Sequence, residues 1–403
     1  MLLARKAGLP AARVRCPTMA TQATRAPSLG EVFVEWGRIG CLGFGGPPAH
    51  IALLRGLCVE RRGWIADEEF ERAIAATSML PGPASTQMSI WCAWRLRGPA
   101  GALIGGACFI VPGLVLILAL AAAFLSSAPP DWLRGAGAGA GAAVAAVAVQ
   151  AGLGLALPAW RRGSGDERVR ALAYALVGGV AAALVGPWLV LVLLACGGAE
   201  LAWRTVGRAV QAHAWPVVIA AAASSGGVGA LCWTAFKVGA LSFGGGFVII
   251  PLMQGDAVHQ HHWMTSAQFL NAVALGQVTP GPVVHTVAAV GYAAGGVGGG
   301  LLAALVGFAP SFAFILIGAD RFSRMLSNAR FGAFLGGSAP AAIGAIIGSA
   351  VPLTRALGET WQYFVLAAAA VWLLVLRRGV VSALLVAGAA GAVLALAGAP
   401  LPG

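Results

Sequence analysis

The stretch Leu80-Pro81-Gly82-Pro83-Ala84 interrupts a long apolar segment, and its central tripeptide returns 199 residues later as Pro280-Gly281-Pro282. Residues on either side match at the same offset. Further pairs are Gly40 with Gly239, Phe44-Gly45-Gly46 with Phe243-Gly244-Gly245, Arg38 with Lys237, Trp64 with Trp263, and Phe109 with Phe308. A register kept over such a length indicates a tandem duplication, in which the helix-breaking residues are the best matched part.

The composition of the chain predicts a membrane protein. Of its 403 residues, 59% are hydrophobic and only 10% are charged, and the mean hydropathy is +0.84. A helix needs roughly 20 apolar residues to cross a bilayer. Runs near that length occur at 102–125, 133–157, 171–196, 301–318, 331–353, 364–376 and 380–399. We therefore expect an all-α polytopic membrane protein.

The same composition disfavours several classes of function. The net charge of +12 comes from basic residues spread over connecting loops, a pattern typical of membrane topology signals and not of a nucleic-acid surface. The seven cysteines include no CxxC pair, and the chain has no P-loop, Rossmann, HExxH or GxSxG motif. We expect no enzyme activity, no cofactor, no metal site and no nucleic-acid partner.

The chain divides into four parts. Residues 1–28 are basic and lack acidic side chains, which predicts a disordered cytoplasmic tail, with an organellar transit peptide as the alternative. Residues 29–208 form the first repeat, and residues 228–403 form the second. Residues 209–227 link the two repeats and are expected to cross the membrane once more.

Each repeat begins with two interrupted segments. In the first repeat, the glycines and prolines of residues 43–48 cannot sustain helical hydrogen bonds, and neither can Pro81-Gly82-Pro83 in the next segment. Arginines lie on both sides of that second segment, at 55–62 and 95–97, so both of its ends are predicted to face the cytoplasm. Such a segment is a re-entrant helical hairpin, whose irregular tip must be covered by protein or by a water-filled cavity.

The loop charges reverse between the repeats. The second repeat has no Lys or Arg at 254–261 or 294–296, whereas Arg321, Arg324 and Arg330 follow its next span, where the first repeat is nearly neutral. This reversal predicts two inverted-topology repeats, each with two broken, re-entrant hairpins followed by transmembrane helices. Secondary transporters built in this way bind their substrate at the membrane midplane.

The four breaks are expected to converge at such a site. Each exposes backbone N–H groups and a helix N-terminus with roughly +0.5 of a charge, which favours an anion. Arg38 and Lys237 lie shortly before two of the breaks, inside otherwise apolar segments where a charge is costly. The predicted substrate-binding residues are Arg38, Phe44, Gly45, Gly46, Pro47, Pro81, Gly82, Pro83, Ser85, Gln87, Lys237, Phe243, Gly244, Gly245, Pro280, Gly281, Pro282 and His285.

Alternative interpretations exist for the polar residues of this set. Arg38 can pair with Glu35 three positions earlier, whereas Lys237 has no acidic residue within a turn of its own helix. Lys237 is therefore predicted to be the freer cation and the stronger contributor to anion binding.

The uncharged candidates also have two interpretations each. Ser85-Thr86-Gln87 either donate hydrogen bonds to the anion or cap the following half-helix. His285 either carries a proton or is an ordinary packed histidine. Asp256 and the histidines at 259–262 match no strong metal-ligand spacing, and their loop is expected to face solvent.

The runs from Gly40 to His50 and from Leu80 to Gln87 resemble the chromate ion transporter family in its long, two-domain bacterial form. Phe243-Gly244-Gly245-Gly246 and the run from Thr279 to Val283 match that family's C-terminal half. The resemblance covers nearly the whole chain from about residue 30. It implies export of chromate across the bacterial inner membrane, chromate resistance, and sulfate as a related or competing oxyanion. Gly246 stands where the first repeat has Pro47, so the two halves need not contribute equally.

Two alternatives accompany this hypothesis. Re-entrant loops also build the selectivity filters of channels, so the alternatives are an anion channel and a transporter of sulfate or another oxyanion. The expected partners are the oxyanion and the lipid bilayer. Small-residue faces around Gly135 and at 295–300 would also permit a homodimer.

Overall fold

The structure is a computed structural model that describes residues 26–80, 82–126, 128–162, 165–184, 189–205, 227–242, 249–318 and 328–402. Every regular element in these ranges is helical. The α-helices are α1 Leu29–Leu42, α2 Pro47–Arg55, α3 Asp67–Met79, α4 Ala84–Phe124, α5 Asp131–Arg162, α6 Gly165–Leu184, α7 Leu189–Thr205, α8 Val228–Leu241, α9 Ile249–Gln254, α10 Ser266–Val278, α11 Thr286–Gly318, α12 Ala329–Gly348, α13 Ala350–Arg355, α14 Thr360–Ala370 and α15 Val380–Leu396.

Several of these helices can span a bilayer. Four are long and apolar enough by length and composition, namely Ala84–Phe124, Asp131–Arg161, Val283–Gly318 and Ala329–Arg355. Shorter apolar helices are Val228–Leu241, Thr360–Val375 and Val380–Leu396. The predicted all-α polytopic class is thus confirmed. Most of the predicted tail, residues 1–25, and most of the predicted linking segment, residues 209–226, lie outside the described ranges.

Glycine and proline end the helices where the sequence predicts breaks. α1 ends at Leu42, and α2 begins at Pro47 after Gly45 and Gly46, whose φ angles are +101° and +76°. Residues with a side chain rarely adopt these angles, so the glycines permit the reversal between the helices. α3 ends at Met79 and α4 begins at Ala84, on either side of the first Pro-Gly-Pro.

α4 itself turns back at Arg97 and Gly98, which leave helical geometry. A Cβ added at Gly101 would lie 2.2 Å from the Ala93 carbonyl oxygen, so the two arms of α4 are antiparallel neighbours. We call residues 84–96 the short arm and residues 99–124 the long arm. Glu69 in α3 forms an ion pair with Arg95 at the end of the short arm, so α3 and the short arm are the two sides of a hairpin whose tip is the Pro-Gly-Pro.

Helix bounds recur at the sequence offset. α1 and α8 begin and end 199 residues apart, as do α3 and α10, and π-helical turns lie at Gly56–Arg61 and Gly255–Gln260. The turn in α11 falls at Gly295 and Gly296. Gly296 follows Gly98 by 198 residues, so the register slips by one residue at this turn, which the sequence comparison did not predict.

The starts of α3 and α10 lie at opposite ends of the long arm of α4. The Glu69–Arg95 ion pair places the start of α3 beside the beginning of that arm. Thr265 and Gln268, at the start of α10, line a cavity together with Phe124, where the arm ends. α3 and α10 therefore run in opposite directions along the long arm.

The remaining helices form a scaffold with very close contacts. A Cβ at Gly344 of α12 would lie 1.8 Å from the Ala175 carbonyl oxygen of α6, and one at Gly135 of α5 would lie 2.4 Å from the Gly391 carbonyl oxygen of α15. Small residues permit such approach in lipid. The face around Gly135 is thus occupied by α15 of the same chain, and the expectation that it is free for a homodimer is wrong.

Candidate functional site

Two helix breaks from different repeats are in direct contact. The Gly281 N–H donates a hydrogen bond of 2.8 Å to the Gly43 carbonyl oxygen. Gly281 has φ +90°, and Gly113 in the long arm of α4 packs against the same turn, since a Cβ there would lie 2.1 Å from the Pro280 carbonyl oxygen. The second Pro-Gly-Pro therefore lies halfway along the long arm, in the interior of the molecule.

The first Pro-Gly-Pro lies near the last turn of α8. Gly82 and Pro83 are buried, and a Cβ at Gly82 would lie 3.5 Å from the Gly239 carbonyl oxygen. Of the predicted site residues, Pro81 and the break with Phe243, Gly244 and Gly245 lie outside the described ranges.

His50 is a fully buried member of this contact. Its Nε2 lies 2.8 Å from the Gly43 carbonyl oxygen, which thus receives hydrogen bonds from both His50 and Gly281. Because a carbonyl oxygen only accepts, Nε2 carries the proton and donates it. The Nδ1 atom is then an acceptor, and it has no hydrogen-bond partner within the described ranges. The ring stands edge-on to Phe109, with centroids 5.1 Å apart.

His285 lies beside the second Pro-Gly-Pro, at the position that matches Thr86 and not His50 in the first repeat. It is fully buried, its ring stands edge-on to Phe308 with centroids 5.3 Å apart, and its Cε1 would lie 2.9 Å from a Cβ at Gly281. The ring approaches the Ile110 backbone, but neither ring nitrogen makes a hydrogen bond of normal geometry to a described residue. Each repeat thus supplies one buried histidine, and the two histidines flank the Gly43–Gly281 hydrogen bond.

In the part of the chain that the structure describes, further buried polar side chains have an atom without a hydrogen-bond partner. Thr86 lies three residues after the first Pro-Gly-Pro, and Gln277 and Thr279 lie within three residues before the second. Others with an unpartnered atom are Ser89 and Ser311. Buried polar groups are normally hydrogen-bonded, so this concentration indicates a place for a polar ligand or water. Sequence reasoning missed Gln277, Thr279, Ser89 and Ser311 because none belongs to a duplicated motif.

The remaining predicted residues divide into two groups. Ser85 and Gln87 are buried in the first turn of α4, beside Thr86, while Pro280 and Pro282 are buried around Gly281. Gly46 and Pro47 are half-buried, and Phe44 and Gly45 lie on the exposed side of their break. The structure therefore places Gly43 and His50 at the contact between the repeats, and it does not bring Phe44 or Gly45 there.

Lys237 is not a free cation. Its Nζ lies 2.6 Å from Asp256 Oδ2, which also accepts a hydrogen bond of 2.8 Å from the Thr234 hydroxyl. The Asp256 side chain is only 1% exposed and the Lys237 side chain 11%. The prediction of an unpaired lysine is wrong, because its partner comes from the π-helical turn after α9 and not from its own helix.

Arg38 differs from Lys237 in its ion pairing. Glu35, its predicted alternative partner, pairs instead with Arg62 at 2.7 Å. Arg38 is exposed on α1 and takes part in none of the ion pairs within the described ranges. The two equivalent cations thus differ: the charge of Lys237 is neutralised, and that of Arg38 is available.

The fold and this site define a class of protein. A polytopic helical chain whose broken helices meet in its interior, beside buried polar groups without described partners, is typical of membrane transport proteins. The chain belongs to the chromate transporter family, whose sequence model matches residues 30–201 and 229–397. Its members are transporters, and the chain is accordingly a multi-pass membrane protein and not an enzyme.

Individual relatives agree with the family match over most of their length. The chain is 30% identical over 376 residues to the chromate transport protein of Cupriavidus metallidurans, covering 90% of this chain and 92% of that one. It is 32% identical over 376 residues to the chromate transport protein of Pseudomonas aeruginosa, covering 85% and 86%. No solved structure matches the chain.

Proposed function

We propose that this chain exports chromate from the cytoplasm across the bacterial inner membrane as a secondary transporter, and so confers chromate resistance. The observation that carries the proposal is the contact of Gly43 with Gly281, beside which His50, His285 and Thr279 are buried with polar atoms that have no hydrogen-bond partner among the described residues. In the bound state, these groups and the amides of the breaks would replace the water around a tetrahedral dianion. Sulfate has the same shape and charge and is expected to compete.

Alternating access of two inverted halves is the proposed mechanism. It is supported by the opposite directions of α3 and α10 along the long arm of α4 and by the reversed loop charges. On this topology the N-terminus lies in the cytoplasm. The contact between Gly43 and Gly281 joins the two halves, so a change in their relative position would expose the site to one side or the other.

The proposal is tested by expression in a chromate-sensitive bacterium. Cells should accumulate less radiolabelled chromate, and inside-out vesicles should take it up with saturable kinetics and counterflow of labelled anion. Unchanged accumulation and resistance, at verified membrane insertion, would reject chromate export. Large unitary currents without saturation would favour the anion channel instead.

Thr86→Val should separate binding from folding. The hydroxyl has no hydrogen-bond partner among the described residues, so its removal costs no described hydrogen bond and should leave stability unchanged or raised. Chromate affinity should fall about tenfold, since a hydrogen bond to a charged group is worth ~1.5–3 kcal/mol. The chromate concentration that half-saturates uptake into inside-out vesicles measures this affinity.

The matched control is Thr77→Val. Thr77 is equally buried, but its hydroxyl donates to the Ala73 carbonyl oxygen within α3. That variant should retain chromate affinity. Equal affinity in Thr86→Val and the unmodified protein would remove Thr86 from the binding site.

Arg38→Gln should weaken chromate transport without loss of inserted protein. Glu35 keeps Arg62 as its partner, so no carboxylate is stranded. We expect the half-saturating chromate concentration to rise about tenfold, for a lost charge-assisted contact of ~1.5 kcal/mol. Arg38→Lys preserves the charge and should recover most of the affinity. If both variants behave like the unmodified protein, Arg38 lies away from the anion path.

A further inference from the structure

A polar cavity lies at the end of the molecule where α4 meets α5, apart from the site between the breaks. Its volume is about 440 Å³, and residues of both repeats line it. Arg134 comes from α5, Thr265, Gln268 and Asn271 come from the start of α10, and Ser126 comes from the connection between α4 and α5. A water molecule occupies roughly 30 Å³ in the liquid, so the cavity volume exceeds that of a tetrahedral oxyanion together with several water molecules.

The lining of this cavity provides donors and a positive charge. Among the described residues that line it, Arg134 is the charged side chain, and none is Asp or Glu. Asp131 lies 3.6 Å from Arg134 Nη1, beyond normal hydrogen-bond distance, and its side chain is 73% exposed. The guanidinium therefore keeps its donors available to a ligand.

The amides of the cavity are partly oriented. Gln268 Oε1 accepts the Thr265 N–H at 2.9 Å, which leaves the Gln268 NH₂ group as a donor. The Asn271 side chain lies against α5, because a Cβ at Gly137 would be 2.7 Å from its Nδ2. A guanidinium with carboxamide donors and no carboxylate suits an oxyanion and not a cation.

α10 extends from the cavity towards the site between the breaks. The helix begins at the cavity wall and runs 13 residues to the second Pro-Gly-Pro, a length of roughly 20 Å at 1.5 Å per residue. Its residues Leu270 and Asn271 pack along Gly141 of α5 on the way. One helix thus joins the two polar regions.

We propose that this cavity is a second oxyanion site, on the side opposite the cytoplasm, which chromate occupies after it leaves the site between the breaks. Its place on the exit path depends on the proposed function. The binding of an oxyanion to the cavity does not, because it follows from the lining alone. Sulfate, which shares the tetrahedral shape and charge, should bind there as well.

The test is protection of a single introduced thiol in whole cells. Ala128→Cys places it in the cavity wall, and the label is a membrane-impermeant maleimide, with the unsubstituted chain as background. External chromate, and separately sulfate, should slow labelling several-fold. Adding Arg134→Gln should abolish the protection, whereas Arg134→Lys should retain it. Arg161→Gln, at the far end of α5, is the matched control and should leave protection intact.

The outcomes distinguish the two proposals. Each rate is compared with and without anion inside the same variant, so differences in basal reactivity cancel. No protection, or equal protection by sodium chloride at the same ionic strength, would overturn the cavity site even if chromate is transported. Protection that depends on Arg134 in a chain that transports no chromate would uphold the site and reject the proposed function.

Discussion

Lys237→Gln is expected to lower the amount of folded protein in the membrane to a small fraction of the unmodified level. The substitution leaves Asp256 as a carboxylate that is 1% exposed, with the Thr234 hydroxyl as its remaining described partner. Breaking a buried ion pair by removing one member costs about 3–5 kcal/mol, a large fraction of the 5–15 kcal/mol that stabilises a typical fold. The amount of inserted protein and its thermal aggregation temperature in detergent measure the loss.

A second substitution should reverse much of this effect. In Lys237→Gln with Asp256→Asn, the buried charge is gone and the asparagine oxygen still accepts from Thr234. Arg38→Gln is the matched single variant at the equivalent position, and it should insert normally because Arg38 has no ion pair among the described residues. Normal insertion of Lys237→Gln with weakened chromate affinity would contradict this, and would restore Lys237 to the anion path.

The helix breaks are the part of the fold that the sequence predicts well. Glycine at positive φ and proline without an N–H end a helix through local geometry alone, so the breaks near Gly43 and at the two Pro-Gly-Pro motifs follow from residue type. The bounds of α1 and α8 lie 199 residues apart, as a duplicated sequence predicts. The turn inside α4, at Arg97 and Gly98, lies where the arginines at 95–97 separate the second segment from the apolar run at 102–125, as the loop charges predict.

The ion pairs show that matching positions of the two repeats can have different chemical roles. Asp256 stands at the position of Leu57 in the first repeat, and Thr234 at the position of Glu35. Each repeat ties its first helix to the loop before its second hairpin, but with different residues: Glu35 with Arg62 in one, Lys237 with Asp256 in the other. Equivalent positions therefore share a backbone and not a chemical role, which only the folded arrangement reveals.

The sequence predicts the motifs of the candidate site. It does not predict how those motifs contact one another, which depends on the fold. The tight approach of Gly281 to Gly43 joins residues of different repeats, and no local pattern encodes such a contact. Which of the other residues belong to the site depends on their burial in the fold. Phe44 belongs to the duplicated motif yet is 42% exposed, whereas Thr279 belongs to no matched pair and is 3% exposed with an unpartnered hydroxyl.

Gly281→Ala should reduce chromate transport about tenfold or more while the protein still inserts. At φ +90° an alanine is strained by roughly 1–3 kcal/mol, and its Cβ would lie 2.9 Å from His285 Cε1 and 3.3 Å from the Phe109 carbonyl oxygen. The turn must shift, and the hydrogen bond from Gly281 to Gly43 shifts with it. A change of about 1.4 kcal/mol in the binding-competent arrangement is a factor of ten.

Two further variants separate the effect of backbone strain from the effect of the steric clash. Gly398→Ala, at φ +83° with open space around its Cβ, imposes strain alone and should transport normally. Gly113→Ala imposes the clash alone, because Gly113 is helical and its Cβ would lie 2.1 Å from the Pro280 carbonyl oxygen, and it should lose transport like Gly281→Ala. Initial rates of chromate uptake into inside-out vesicles, normalised to inserted protein, compare the three. Normal rates in both Gly281→Ala and Gly113→Ala would mean that the contact between the repeats can deform without consequence, and the anion site would then have to lie elsewhere.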